Sequence, residues 1–179
     1  DLGKMEAWYI LEADEDARII KGVRDGVAKD DFHKLLKEER LEECLNMFPV
    51  SSGDVVFLPP RTLHAIGGGI VLFEIQQNSN VTYRAYDWGR KGKDGKPRRL
   101  HVDEVLEVTD FSMPARNKEN ITQIGEQGRT TLIDCKYFIL DLVRSSSPFN
   151  IKVPDENFIV MTVISSGGTI EYGDSMSIA

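Results

Sequence analysis

The sequence predicts an all-β protein, an antiparallel sandwich or barrel that carries one small helical insertion. Short runs of aromatic and β-branched residues recur at close intervals between Gly, Pro and Asp turn signals, which is the pattern of strands joined by tight turns. Only the stretch at about 30–48 replaces that alternation with apolar residues at helical spacing. A chain of 179 residues is long enough for one well-buried domain or two small ones, and two are expected here: a first unit over 1–110 and a second, incomplete β unit over 111–179.

Residues 4–11 run KMEAWYIL without a breaker and read as the strand that opens the first sheet. Alternation then puts Lys4, Glu6, Trp8 and Ile10 on one face and Met5, Ala7, Tyr9 and Leu11 on the other, with Lys4 and Glu6 read as an exposed polar edge beside a buried Trp8. An acidic turn, Glu12 to Asp16, leads to a second strand, Arg18 to Val23. Asp30 or Asp31 is expected to cap a helix. Phe32, Leu35 and Leu36, then Leu41, Cys44, Leu45 and Phe48, predict two short helices, about 30–38 and 40–47, ended by Pro49.

From Val50 the pattern becomes strands and turns. Gly53-Asp54 is a turn and Val55 to Leu58 a strand, which Pro59-Pro60 stops by removing two backbone donors. His64 follows, then a turn whose three consecutive glycines, 67–69, permit backbone that bulkier residues resist. Ile70 to Gln76 is expected to place Leu72, Glu74 and Gln76 on one face. Val81 to Asp87 is expected as a strand with Thr82, Arg84 and Tyr86 on one face, so that Arg84 could meet Glu74 or a ligand.

The run RKGKDGKPRR, Arg90 to Arg99, is a basic loop with a hairpin turn at Asp94-Gly95. It is first a solvated tip, but its base lies near the richest part of the chain, where Lys and Arg favour a phosphate-bearing ligand. Asp103 to Val108 is a short helix. Strands are expected again from Ile121: Thr130 to Cys135, Tyr137 to Arg144, Phe149 to Val153, Phe158 to Ser165 and Gly168 to Tyr172.

Bulk properties limit the partners. A formal charge of -7 disfavours nucleic acid, whose binding depends on clustered Lys and Arg. No apolar run approaches the ~20 residues of a membrane-spanning helix, so no membrane partner is expected. Cys44 and Cys135 match neither a zinc-finger spacing nor a disulfide framework, and a reducing, cytoplasmic compartment is the simpler reading. The chain starts without Met and stops just after a strand-like run, so both ends read as cut. Nothing in the sequence sets the oligomeric state.

The chemistry concentrates in Gly53 to Arg90, with a histidine on a turn, an acid and an amide on the next strand and an arginine beyond. Catalytic zinc takes three His, Glu or Asp ligands and leaves a position open. Glu6 and His64 are the best pair for that role. His33, in a helix, and His101, at a helix entrance, do not complete it, so the third ligand is Glu74, Gln76 or a residue outside this chain.

These motifs resemble those of the type I mannose-6-phosphate isomerases, in their short bacterial form: GKMEAWYIL at 3–11, the long run from GDVVFLPP to YDWGR at 53–90, and GKPRRLH at 95–101. The resemblance implies a cupin-type jelly-roll barrel, with a second cupin-like β unit after it. It implies that Glu6 and His64 bind one Zn2+, that Lys4 lies in the active site as a candidate for proton transfer, and that Arg84 lies beside the substrate and assists catalysis. It also implies a further histidine, in a QVHP-like strand expected before Asp1. The expected substrate is a sugar phosphate, and the expected reaction interconverts mannose 6-phosphate and fructose 6-phosphate by proton transfer between C1 and C2. A lysine serves as base only where burial or neighbouring cations favour its neutral form, whereas a guanidinium stays charged, which suits Arg84 to electrostatic stabilisation. A non-catalytic cupin module that binds a sugar or sugar phosphate is the second reading. A cupin oxygenase or epimerase using iron or another divalent metal is a third, and the second histidine close to an acid that an iron oxygenase wants is not in the right place here.

Overall fold

The structure is a computed structural model and describes residues 3–115, 119, 127–153, 155–172 and 175–178. Its first strand, β1 (Glu6–Ala13), is the centre of a three-stranded antiparallel sheet, flanked by β4 (Val55–Leu58) and β6 (Ile70–Gln76). A second three-stranded antiparallel sheet, ordered β3-β2-β5, lies against it. In chain order the elements are β2 (Arg18–Val23), α1 (Lys29–Lys37), a 3-10 turn (Leu41–Cys44), β3 (Leu45–Pro49), β4 (Val55–Leu58), β5 (His64–Ile66), β6 (Ile70–Gln76) and α2 (Val102–Val108). Two hairpins follow, β7 (Gly128–Asp134) with β8 (Ile139–Arg144), and β9 (Thr169–Tyr172) with β10 (Ser175–Ile178).

Alternation along β1 builds the layers. Trp8 and Ile10 point between the two sheets and pack with Ile19, Phe48, Val56 and Leu58. Ala7 and Tyr9 point the other way, and there the β7–β8 hairpin lays Leu132, Ile133, Leu140 and Leu142 against them. The outer face of β2, through Ile20, is covered by Phe32 and Leu36 of α1 and by Val105 and Leu106 of α2. One strand therefore buries both its faces because each meets its own apolar layer.

The register carries the site. Glu6 pairs with Gln76, Trp8 with Glu74 and Ile10 with Leu72 across β1 and β6, as period-2 alternation requires. A bulge between Ile20 and Val23 interrupts the β2–β3 ladder, and within it Gly22 takes φ 76°. At the expected glycine turn, Gly69 takes φ 70°. Gly67 lies so close to the Arg18 carbonyl that a Cβ would collide with it.

Several expectations are corrected. The helical reading of 40–47 gives way to the 3-10 turn and to β3, with Leu45 paired to Val23 and Phe48 to Ile19, so Pro49 ends a strand. The N-cap of α1 is Ala28; Asp31 instead accepts the Ala28 N–H at 3.3 Å, and both acids lie in the first turn, where the helix dipole favours them. Val81 to Asp87 forms no strand. His101 takes the backbone of that stretch, its Nδ1 accepting the Arg84 N–H at 3.1 Å and its own N–H donating to the Arg84 carbonyl at 2.9 Å. Phe149 to Val153 and Phe158 to Ser165 likewise join no ladder among the described residues, and Phe158 is 84% exposed. Of the strands expected after Ile121, Thr130 to Cys135, Tyr137 to Arg144 and Gly168 to Tyr172 are found as β7, β8 and β9, while residues 121–126 lie outside the described residues. Residues 175–178 form a strand that was not expected. The basic loop turns as expected, with Gly95 at φ 75° and a Lys91–Pro97 bridge closing the hairpin.

Candidate functional site

Glu6 is the first residue of β1, and its side chain points inward with only 2% of its surface exposed. The polar-edge reading of Lys4 and Glu6 is therefore corrected: the carboxylate is buried, and Lys4 closes over it with Nζ 2.7 Å from Glu6 Oε1. Lys4 Nζ also donates to Gln76 Oε1. Backbone and side chain of Gln77 tie down Met5, which fixes the segment that carries Lys4.

His64 arrives from the other sheet. The turn after Pro59-Pro60, with Arg61 at φ 71°, reverses the chain and makes His64 the first residue of β5. Its ring meets Trp8 edge to face with centroids 5.5 Å apart. Nδ1 lies 2.8 Å from the Thr62 carbonyl. A carbonyl only accepts, so Nδ1 carries the proton, and in the neutral ring the Nε2 lone pair faces Glu6 Oε2 at 3.6 Å.

Two acceptors directed at each other repel unless a proton on Nε2 or a cation shared by both lies between them. Two ligands of a tetrahedral zinc, each bound at ~2.0–2.2 Å, stand roughly 3.4 Å apart, close to the observed separation. The backbone carbonyl on Nδ1 is also the usual partner behind a metal-bound imidazole. Glu6 Oε1 is taken by the Lys4 ammonium at 2.7 Å, so Oε2 is the carboxylate oxygen that faces His64. Glu6 Oε2 and His64 Nε2 are thus spaced as two ligands of one divalent cation would be, while the amide oxygen of Gln76 accepts from Lys4 Nζ. Among the described residues no three His, Cys, Asp or Glu side chains come together as a metal cluster.

Glu74, a candidate third ligand, instead accepts the Trp8 Nε1–H at 2.9 Å. Arg84 does not meet Glu74. It stands in a second cluster, with Nη1 donating to the Arg99 carbonyl at 3.2 Å and Nε 3.7 Å from Asp87 Oδ1. Asp87, not singled out in the sequence, is 6% exposed and is held by Arg98, whose Nε donates to Oδ2 at 2.6 Å and whose Nη2 reaches Oδ1. The Arg98 guanidinium, aided by Arg90 and Arg84, holds the Asp87 carboxyl below the usual carboxylate range. Lys21 was also missed. It is 6% exposed on β2, paired in register with His64 and 3.6 Å from Glu119 Oε1. A buried lysine on an otherwise apolar strand was the available signal. A groove of about 570 Å³, lined by Asp14, Arg18, Met47, Ile66, Trp88 and Arg90 among others, reaches none of Lys4, Glu6, His64 and Gln76.

Sequence comparison decides the kinship. The chain is 37% identical over 175 residues to mannose-6-phosphate isomerase ManA of Bacillus subtilis, covering 97% of this chain and 55% of that protein. The chain is a homologue of the mannose-6-phosphate isomerases. A mannose-6-phosphate isomerase of Streptococcus mutans is 31% identical over 173 residues, covering 97% of this chain and 54% of that protein. The crystal structure of the mannose 6-phosphate isomerase from Bacillus subtilis superposes with a TM-score of 0.61 at 29% identity, covering 82% of this chain and 43% of that one. The all-β, cupin-type fold expected from the sequence is thereby shared with that enzyme. No protein-family model matches the chain. The chain spans about half the length of the curated relatives it matches.

Proposed function

We propose that the protein is a zinc-dependent aldose–ketose isomerase that interconverts mannose 6-phosphate and fructose 6-phosphate through an enediol, with one Zn2+ per chain. The observation that carries this reading is the pair of facing acceptors, Glu6 Oε2 and His64 Nε2 at 3.6 Å, in a chain whose relatives bear that enzyme's name.

Glu6 and His64 would hold the metal, with the third ligand left to Gln76, if it exchanges its bond to Lys4 for the metal, or to a residue outside this chain. Zinc bound there would stabilise negative charge on the sugar oxygens without a change of oxidation state. In the reaction a proton leaves C2 of the aldose and returns to C1, while another moves from O2 to O1. Lys4, whose ammonium is held between Glu6 and Gln76, would serve in the transfer as a proton donor to the sugar oxygens rather than as the base at C2. Arg84 contributes fixed positive charge toward the anionic substrate.

A boundary near residue 110 between a catalytic unit and a second β unit belongs to the same proposal; the end of α2 at Val108 supports it, while the packing of β7–β8 on β1 joins that hairpin to the first unit. A cytoplasmic setting is supported by the two free cysteines; burial pushes the Cys44 thiol up and keeps it protonated. No helix among the described residues is long and apolar enough to cross a membrane.

A sugar-phosphate-binding module without turnover is the second reading. It is favoured by the described residues bringing together only two of the three His, Asp or Glu ligands that catalytic zinc sites use. Assay of the whole protein with mannose 6-phosphate, before and after chelation and zinc repletion, separates the two. Turnover that chelation abolishes and zinc restores is expected. Turnover indifferent to chelation removes the metal, and no turnover in the zinc-replete protein leaves the binding module.

A further inference from the structure

The Arg84, Asp87, Arg90 and Arg98 cluster is unbalanced. One carboxylate faces three guanidiniums, so three positive charges and one negative leave a local excess of two in a chain of net charge -7. A purely structural network gains little by gathering uncompensated cations, because each desolvated charge costs free energy unless it is paired. The exposure is graded outward: the Asp87 side chain is 7% exposed, Arg84 27%, Arg98 37% and Arg90 60%. The three guanidiniums thus radiate from one buried carboxylate, with Arg90, stacked over Trp88, the most open to solvent.

The bonds are graded too. Arg98 takes both carboxylate oxygens in a two-point fork. Arg84 and Arg90 remain at ion-pair distances of 3.7 and 3.5 Å from Oδ1. Arg84 is held independently by the His101 clamp on its backbone, and Arg90 by the Asp87 carbonyl, which accepts its N–H at 2.9 Å. A phosphate monoester carries about -1.5 to -2 charge at neutral pH, which matches the excess.

We propose that Asp87 is a positioning residue for phosphate recognition: by locking Arg98 and drawing in Arg84 and Arg90 it fixes a three-guanidinium cradle for the phosphate of the substrate. This rests on the sugar-phosphate reading of the site.

The opposite expectation is simple and opposite in sign. If Asp87 merely neutralised its neighbours, Asp87→Asn would raise the local charge and tighten anion binding. If it positions them, binding weakens despite the added charge. Titration calorimetry of the full chain with inorganic phosphate reads this without any need for turnover. We expect Asp87→Asn to weaken phosphate about 10-fold, with folding checked by circular dichroism, and Asp87→Glu to recover part of the loss. Should Asp87→Asn fail to fold, Arg98→Lys, which keeps the charge but loses the fork, is expected to show the same weakening. Equal or tighter phosphate binding in the variant that folds, or no phosphate binding by the unaltered chain, overturns the proposal. Phosphate binding with the expected loss but no isomerase turnover would defeat the isomerase reading alone.

Discussion

Glu6 on β1 and His64 on β5 belong to different sheets and are 58 positions apart in sequence, yet Glu6 Oε2 lies 3.6 Å from His64 Nε2. The Thr62 carbonyl fixes the proton on Nδ1, so that in the neutral ring the Nε2 lone pair faces the carboxylate.

His64→Ala removes one of these two donors and the only imidazole of the set. Zinc affinity, measured by competition with a chromogenic chelator, is expected to fall by at least about 10–100-fold, the range already seen when only the groups behind a ligand are lost. Unchanged zinc stoichiometry and affinity would reject His64 as a ligand.

Arg84→Ala should separate chemistry from metal binding, because Arg84 bonds to Arg99, His101 and Asp87 rather than to Glu6 or His64. Turnover of mannose 6-phosphate is expected to drop roughly 10²–10³-fold, as for loss of one preorganised charge-stabilising donor. Zinc affinity should stay within about twofold. Intact turnover would take Arg84 out of the mechanism.

The Asp87 carboxyl sits below its unfolded value of ~3.9, held there first by Arg98. A depressed carboxyl stabilises the fold above the unfolded value, and that contribution is lost as pH falls through the folded value. Thermal melts of the unaltered protein and Asp87→Asn should therefore differ most at pH 5–8 and converge as the pH drops below about 4. A gap independent of pH would show that the ion pair does not supply the difference.

Gly67 and Gly68 are neighbours with different fates. A Cβ at Gly67 meets the Arg18 carbonyl, while one at Gly68 meets nothing within 4 Å. Gly67→Ala is expected to cost about 1–3 kcal/mol in urea unfolding, as overpacking against fixed backbone does. Gly68→Ala should fall within about 0.5 kcal/mol of the unaltered protein, and equal effects at both positions would contradict the close approach.

The two faces of β1 could be assigned from residue order alone, because a period of 2 is a local property of extended backbone. Trp8 and Ile10 do share the inter-sheet face with Glu6, and Ala7 and Tyr9 the opposite face, against β7–β8. Strands β2 and β4 and the pairing of Glu6 and His64 as the richest candidates followed from the same local signals.

Other features depended on partners distant in sequence. Leu41, Cys44, Leu45 and Phe48 satisfy a helical spacing, but Leu45 and Phe48 find Val23 and Ile19 on β2, and ladder pairing overrides a weak helix preference. Val81 to Asp87 carries strand residues, yet His101, 17 positions beyond Arg84, takes up the Arg84 N–H and carbonyl that a neighbouring strand would need. Asp87 gave no signal beyond being one acid among several, and Arg98 read as part of a solvated loop; their two-point pair exists only because the hairpin folds back. Local backbone periodicity can be read from neighbouring residues. Which buried charge meets which is decided by chain crossings that bring distant residues within a few ångströms, and those exist only in the folded molecule.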